Sequence, residues 1–143
     1  MADGITGSYF SYIVSPNQEY EGLNGAKPFG EGLSLWLKNS PGFNLDKIDT
    51  PVRIEAYSAG SVLGSWEWYA GLQRLEKPVD FVYLPGAAHI LVRPSDRMIS
   101  QGGTVDWFSF WLQGYEDPDP VKADQYKRWR ELRKFRSLTT LPL

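Results

Sequence analysis

Cysteine is absent from this chain of 143 residues, which excludes disulfide bonds, thiolate nucleophiles and thiolate metal sites. No apolar run approaches the roughly 20 residues that a membrane-spanning helix requires. The first residues have neither the basic start nor the apolar core of a secretory signal. We therefore expect a soluble chain that, as written, is cytoplasmic and has no membrane as partner.

An excess of charge of either sign is also missing, because 15 basic residues face 17 acidic ones. The formal net charge of -2 gives no reason to expect nucleic acid as a partner. Neither Gly30-Glu31-Gly32 nor Gly102-Gly103 belongs to a phosphate-binding loop, and we predict no cofactor and no metal. The length favours one domain, and 14 glycines and 10 prolines indicate that its regular elements are short or few.

Two short segments are typical of strands. Residues 52–57 form the first, and residues 79–84 form a largely apolar run bounded by Pro78 and by the turn pair Pro85-Gly86. Between them, apolar residues recur at helical spacing over residues 65–76. The apolar face of this helix consists of Trp68, Leu72 and Leu75. Strand, helix and strand in this order predict a βαβ unit with parallel pairing, and therefore an α/β fold with few parallel strands and flanking helices.

Further elements flank this unit. We predict a short extended or aromatic-packed stretch over residues 5–14, a surface loop over residues 15–32 and a short helix over residues 33–37. Pro94-Ser95-Asp96 marks the start of another helix, which Gly102-Gly103 kinks or delays. The predicted apolar face of that helix consists of Val105, Phe108, Trp111 and Leu112.

A last helix begins after a proline-rich linker. Asp119 caps it, Pro120 lies in its first turn, and it runs toward Arg136. Its aromatic face consists of Tyr126, Trp129 and Leu132. The basic residues near the C-terminal end of this helix interact favourably with the helix dipole. They could also bind an acidic partner. Glu116, Asp117 and Asp119 are interpreted as turn and cap residues rather than as a cation site.

Four segments in a fixed order carry a resemblance to a known family. They are Thr50-Pro51-Val52, residues 71–79, Pro85-Gly86-Ala87-Ala88-His89 and residues 106–114. The chain resembles the C-terminal part of the catalytic domain of prolyl oligopeptidase family serine peptidases, closest to the branch containing lasso peptide isopeptidases. That branch also has counterparts of residues 116–120 and of the terminal Tyr-x-x-Trp helix. We interpret residues 1–143 as a partial peptidase catalytic domain, with a lead-in (1–49), a strand-helix-strand-His loop-helix unit (50–114) and a C-terminal helix and tail (115–143).

The resemblance implies an α/β-hydrolase fold with an incomplete sheet, and a Ser-Asp/Glu-His triad whose serine lies on a G-x-S-x-G turn. His89 matches the family's catalytic histidine, which acts as the general base. No G-x-S-x-G occurs in the chain, so the nucleophile and its oxyanion hole are absent. The position of the acid aligns near Ser61, which is not a carboxylate, and the nearest carboxylates are Glu55 and Glu67. We therefore expect the chain to be inactive alone.

Three interpretations of function follow. The first is a C-terminal fragment of a peptidase that hydrolyses peptide or isopeptide bonds, with a peptide substrate only when the missing N-terminal half is supplied. The second is a non-catalytic docking module that completes or binds a partner hydrolase chain, through a protein partner or self-association. The third is a carbohydrate-binding β-sandwich, prompted by six tryptophans and eight tyrosines. His89 could also be an ordinary hydrogen-bonded residue of a surface loop with no catalytic role.

Aromatic residues near the predicted acid allow two interpretations. Trp66, Trp68 and Tyr69 either line a substrate pocket or pack a helix on the sheet, and packing is the plainer account. Weaker candidates for a nucleophile are Ser58, Ser61 and Ser65.

Overall fold

The computed structural model describes residues 9–14 and 19–139. The α-helices, α1 to α7 in chain order, are Tyr9–Val14, Glu19–Asn24, Leu33–Asn39, Ala59–Arg74, Pro94–Arg97, Gly103–Phe108 and Ala123–Thr139. The strands β1 and β2 are Val52–Ala56 and Val79–Tyr83. Short 3-10 turns cover Gly30–Gly32, Pro41–Lys47 and Pro120–Lys122, and π turns cover Met98–Gly102 and Ser109–Gln113. None of the described helices is both long and apolar enough to cross a bilayer.

The centre of the fold is a β1-α4-β2 unit with two parallel strands in register from Val52 opposite Val79 to Ala56 opposite Tyr83. The prediction of parallel pairing is confirmed, as is the α/β class with few strands and flanking helices. Within the described residues there are two strands, so the β-sandwich interpretation is wrong. Helical periodicity in the remaining segments already opposed a sandwich.

One face of the sheet is apolar. Ile54 and Val79 pack with Leu72 of α4 and with Leu45 of the preceding 3-10 segment. A β-carbon at Gly71 would lie 2.5 Å from Leu45 Cδ1, so glycine lets that segment approach α4 closely. Burying such aliphatic side chains supplies most of the stability that a small core can offer.

The start of α4 lies six positions before the predicted start at residue 65. Ser58 is its N-cap and forms a capping box with Ser61. A capping box satisfies amide groups that a helix end leaves unpaired. Periodicity missed this first turn because Gly60 and Gly64 weaken the helical pattern there.

The opposite face of the sheet is covered by residues 94–113, which form one helical segment, and by α7. A buried aromatic cluster joins these two helices, and the indole N–H of Trp129 donates to Asp80 Oδ2 of β2 at 3.0 Å. The cluster consists of Trp107, Phe110, Tyr126 and Trp129, with Trp111 and Leu132 packed against it. The aromatic face predicted for the last helix is therefore confirmed.

Gly102-Gly103 do not delay the helix, because both glycines have helical backbone angles and the segment continues through them. A β-carbon at Gly103 would lie 2.5 Å from Arg53 Nη2, so a larger residue there would displace the guanidinium. The buried face of the helix differs from the predicted one. Trp107 and Phe110 are buried, whereas three of the four residues of the predicted apolar face are exposed. Those three are Val105, Phe108 and Leu112.

The lead-in departs from the predicted backbone conformation, although residues 9–14 have the aromatic packing that was the other alternative. Residues 9–14 are helical rather than extended, and α2 together with a 3-10 turn lies where residues 15–32 were expected to be a loop. Residues 5–8 and 15–18 lie outside the described residues. Ring contacts explain the difference, because Tyr12 meets Trp36 at 5.2 Å between centroids and Tyr9 meets Phe29 at 6.3 Å. Tertiary packing has overridden the β-propensity of these aromatics.

Candidate functional site

The loops that follow β1 and β2 lie at the same edge of the sheet, because the strands are parallel. A small buried cluster anchors both loops. Tyr57 follows β1, and it packs with Leu84 and Ala87, which follow β2; Leu91 packs against them. The backbone of Leu84 also donates to Ala56 O at 2.9 Å, which extends the pairing into the second loop. The edge is thus a fixed platform for both loops.

His89 lies on the second loop and is exposed. The loop turns through Pro85 and Gly86, whose φ of +71° lies in the left-handed region that favours glycine. The amide of Ala87 then donates to Leu84 O at 3.2 Å. This turn presents the imidazole at the carboxyl edge of the sheet, accessible from solvent. Its role as a general base stays a prediction.

Ser61 lies on the first loop, in the first turn of α4. Its Oγ accepts from the backbone amides of Tyr57 and Ser58, both at 2.9 Å, and its own amide donates to Ser58 Oγ at 3.1 Å. Two converging amides would suit a carboxylate, whose charge strengthens each hydrogen bond. The hydroxyl that occupies the position carries no charge to stabilise an imidazolium. The alternative nucleophiles are poorly suited as well, since Ser58 and Ser61 form the cap and Ser65 is buried.

The two neighbouring carboxylates are engaged elsewhere. Glu55 is 2% exposed and forms an ion pair with Arg53. Its Oε2 also accepts from Tyr57 Oη at 2.9 Å and from Ser100 Oγ at 2.6 Å. Burial lowers the pKa of Arg53, and the negative charge of Asp80 opposes that change. The Glu55 carboxylate therefore ties β1 to the helical segment 94–113.

Glu67 serves a different contact, because its Oε2 accepts from the backbone amide of Phe10 at 2.9 Å and so joins α4 to α1.

The buried network of Arg53, Glu55 and Asp80 escaped the sequence analysis. Charged residues alternate with Val52 and Ile54 along β1. Such alternation is typical of a strand with one face in water, so the pattern did not reveal that the charged face is buried.

Aromatic residues on α4 pack as the plainer account predicted. Trp68 joins the apolar core, and the ring of Tyr69 lies 5.3 Å from that of Phe81 on β2. Trp66 contacts both of these rings, but it is 52% exposed and borders an apolar cavity of about 490 Å³. The cavity is lined by Ala59, Val62, Leu63, Trp66, Phe81 and Tyr83. Packing is confirmed for Trp68 and Tyr69, and Trp66 also lines a cavity.

Asp117 and Asp119 of the acidic linker are turn and cap residues, as predicted, whereas Glu116 forms an ion pair with Arg130 of α7. Asp119 Oδ1 accepts from the amide of Val121 at 3.0 Å, and Asp117 Oδ1 accepts from the amide of Asp119 at 3.0 Å. Lys122 donates to Asp117 Oδ2 at 2.7 Å and forms an ion pair with Asp106 at 2.9 Å, and these carboxylates raise the pKa of the lysine. The described part of the chain holds no cluster of three or more side chains suited to a metal ion.

Comparison with known proteins decides what this arrangement is similar to. Over 138 residues, which are 96% of the chain, it is 33% identical to the lasso peptide isopeptidase AtxE2 of Asticcacaulis excentricus. The chain is homologous to part of a lasso peptide isopeptidase. The resemblance predicted from the sequence is confirmed. These residues make up 18% of AtxE2, and no family model matches the chain.

Two solved structures of AtxE2 have the same local fold. A serine-to-alanine variant with Astexin3-dC4 bound gives a TM-score of 0.74 at 29% identity, covering 94% of this chain and 21% of that chain. The apo isopeptidase gives a TM-score of 0.69 at 32% identity, covering 88% and 18%. The two strands and their helices therefore match part of an α/β-hydrolase fold, and the chain spans about a fifth of the relatives it matches.

Proposed function

We propose that this chain is the histidine-bearing, C-terminal portion of a serine-type hydrolase that cleaves peptide or isopeptide bonds. Homology to AtxE2 over nearly the whole chain supports this proposal. The observation that carries it is the carboxyl edge of the sheet, where Tyr57, next to the Ser58–Ser61 turn, packs with Leu84 and Ala87 of the loop that carries His89. Serine hydrolases of this fold place acid and base on two such loops.

The role of His89 would be to take a proton from a serine hydroxyl and return it to the leaving amine. An exposed imidazole on an anchored turn suits that role, because the hydroxyl can approach from outside the chain. The chain has no G-x-S-x-G turn, so the nucleophile and oxyanion donors must come from another polypeptide segment. Alone, the chain would be inactive.

Inactivity is tested on the purified chain with a fluorophosphonate probe and with peptidase and esterase substrates. We expect no covalent labelling and no turnover, because no activated serine is present. Turnover that disappears in His89→Ala would overturn the expectation of inactivity.

The family activity is tested in a chimera, in which this chain replaces the homologous stretch of AtxE2. With Astexin3-dC4 as the test peptide, we expect cleavage to fall by about 10³-fold or more in His89→Ala, since the general base is lost. Ile90→Ala is the matched control, because Ile90 is the next residue of the loop and is 75% exposed. Equal cleavage by the chimera and its His89→Ala variant would refute the role of His89.

The same chimera tests whether position 61 is the place of the catalytic acid. Ser61→Asp would place a carboxylate where the amides of Tyr57 and Ser58 converge. If the first loop supplies the acid, the cleavage rate should rise by about tenfold or more. An unchanged rate would show that the acid position is elsewhere.

A second candidate function is a non-catalytic docking module, which the uncharged Ser61 favours. The same chimera separates the two candidates. A docking module would preserve the fold of the chimera, but cleavage would be absent or would not depend on His89.

A further inference from the structure

Tyr57 contacts both loops at the carboxyl edge of the sheet. Its backbone amide donates to Ser61 Oγ at 2.9 Å, at the start of the first loop. Its ring is 4% exposed and packs with Leu84 and Ala87 of the second loop. One residue therefore joins the turn at Ser61 to the loop that carries His89.

The hydroxyl of Tyr57 is held by a buried carboxylate. Tyr57 Oη donates to Glu55 Oε2 at 2.9 Å, and Ser100 Oγ donates to the same oxygen at 2.6 Å. Glu55 and Ser100 are 2% and 7% exposed, so little water competes for these hydrogen bonds. Hydrogen bonds to an ionised acceptor are also stronger than neutral ones. The direction of the Tyr57 ring is therefore fixed by β1 and by the helical segment 94–113, which follows the His89 loop.

The backbone on both sides of His89 packs on this ring and its neighbours. Ala87, two residues before His89, belongs to the buried cluster around Tyr57, and Leu91, two residues after it, packs against the same cluster. Leu91 is also tied to the following helix, because Arg97 Nε donates to Leu91 O at 2.7 Å. The loop is thus held on either side of the imidazole by one cluster.

We propose that Tyr57 is a positioning residue for His89. Its ring holds the loop on both sides of the imidazole, and its hydroxyl keeps the ring in place through Glu55 and Ser100. The inference rests on the proposed function and adds a residue to it, one that acts through the loop backbone and not on the substrate. Positioning matters for a general base, because a displacement of about 1 Å costs about 10²-fold in rate.

Tyr57→Phe isolates the hydroxyl, since the ring and its packing are kept. Glu55 retains Ser100 and Arg53 as partners in this variant, so its charge is not left unpaired. In the chimera with AtxE2, we expect kcat for Astexin3-dC4 to fall by about tenfold and KM to change by less than about twofold, because the chemical step alone is affected.

Tyr20→Phe is the matched control. Tyr20 is also 4% exposed, but it lies on α2 and not in the cluster around Tyr57. Its kcat and KM should stay within about twofold of those of the chimera. Equal losses of kcat in the two variants would indicate a general loss of packing and would overturn the inference.

Ser100→Ala tests the same network from its other end. It removes the second hydrogen bond to Glu55 Oε2 and leaves the residues of the His89 loop unchanged. Because both hydroxyls act through one carboxylate, the double variant Tyr57→Phe/Ser100→Ala should lose less kcat than the product of the two single losses. A double loss equal to that product would overturn the inference.

Hydrogen exchange in the chain itself measures the loop without any cleavage assay. The amide of Ala87 donates to Leu84 O at 3.2 Å, and it should exchange about tenfold faster in Tyr57→Phe, because the loop is held less firmly. The amide of Leu75, which donates to Gly71 O at 3.1 Å, lies at the other end of α4 and should exchange as in the wild type.

The imidazole gives a second readout, because His89 is the only histidine in the sequence. In magnetic resonance spectra of the histidine-labelled chain, its ring signals should shift in Tyr57→Phe and not in Tyr20→Phe. Unchanged ring signals together with unchanged exchange of Ala87 in Tyr57→Phe would overturn the inference.

Failure of the proposed function looks different. In that case the chimera cleaves no Astexin3-dC4, or cleaves it equally without His89, while Tyr57→Phe still changes the exchange of Ala87 and the ring signals of His89. This result would refute the hydrolase proposal and support the positioning of the loop by Tyr57.

Discussion

The two faces of the small sheet are built from opposite chemistry. On the α4 side, Ile54 and Val79 pack against Leu72, and the contacts are aliphatic. On the other side, Arg53 and Glu55 form a buried ion pair whose partners include hydroxyl groups of the helical segment 94–113. Adjacent residues of one five-residue strand thus serve two different interiors.

The two faces of the sheet are expected to differ in how well they tolerate substitution. Aliphatic contacts tolerate repacking, because hydrophobic side chains of similar volume can replace one another. A buried ionic network tolerates little, since each charge must meet its partner in a defined geometry. We infer that the apolar face holds the βαβ unit together, whereas the polar face fixes how the helix after the His89 loop lies on the sheet.

The largest effect is expected from breaking the polar face. Arg53→Leu leaves Glu55 buried without its ionic partner, and we expect a loss of about 3–5 kcal/mol in the free energy of unfolding. Urea denaturation followed by circular dichroism measures it. The double variant Arg53→Leu/Glu55→Leu should recover much of the loss, because it removes both charges. A double variant no more stable than Arg53→Leu would contradict the assignment of an ionic penalty.

Shortening a side chain on the apolar face tests how much that face contributes to stability. Leu72→Ala leaves a cavity in the aliphatic core, and we expect a loss of about 2–4 kcal/mol in the free energy of unfolding. Leu72→Met should cost less than about 1.5 kcal/mol, since its volume is similar. Equal losses in the two variants would show that the apolar face is as sensitive to shape as the polar one.

Local signals predicted the centre of the fold. Pro51 and Pro78 delimit the two strands, and the strand-helix-strand order implies parallel pairing by chain connectivity alone. Because the strands are parallel, the loops that carry Ser61 and His89 follow the same edge of the sheet. The roles proposed for His89 and for the position of Ser61 come from the family resemblance.

Long-range contacts explain what the sequence could not reveal. The partners of Glu55 include Ser100, which is 45 positions away, and no pattern within β1 points to it. Tyr12 is β-prone in isolation, but its ring packs on Trp36 and its backbone is helical. Trp107 and Phe110 form the buried face of the helix because they pack against Tyr126 and Trp129 of α7, a contact that local periodicity does not show.

The smallest effect should come from the linker that leads to α7. Lys122 joins Asp106 and Asp117, and Lys122→Met should lower the free energy of unfolding by about 1 kcal/mol, because the lysine is partly exposed. Lys134→Met is the matched control; it removes an exposed pair with Glu131 and should cost less than about 0.5 kcal/mol.

The pH dependence sharpens this last test. The hydrogen bond from Lys122 lowers the pKa of Asp117, so the contribution to stability is present above the ordinary carboxyl pKa. It is lost as the pH falls through the lowered pKa, when the folded chain also protonates Asp117. Denaturation of wild type and Lys122→Met at about pH 6 and about pH 2 should therefore show a difference that shrinks in acid. A constant difference would mean that the lysine stabilises the linker through its aliphatic stem rather than its charge.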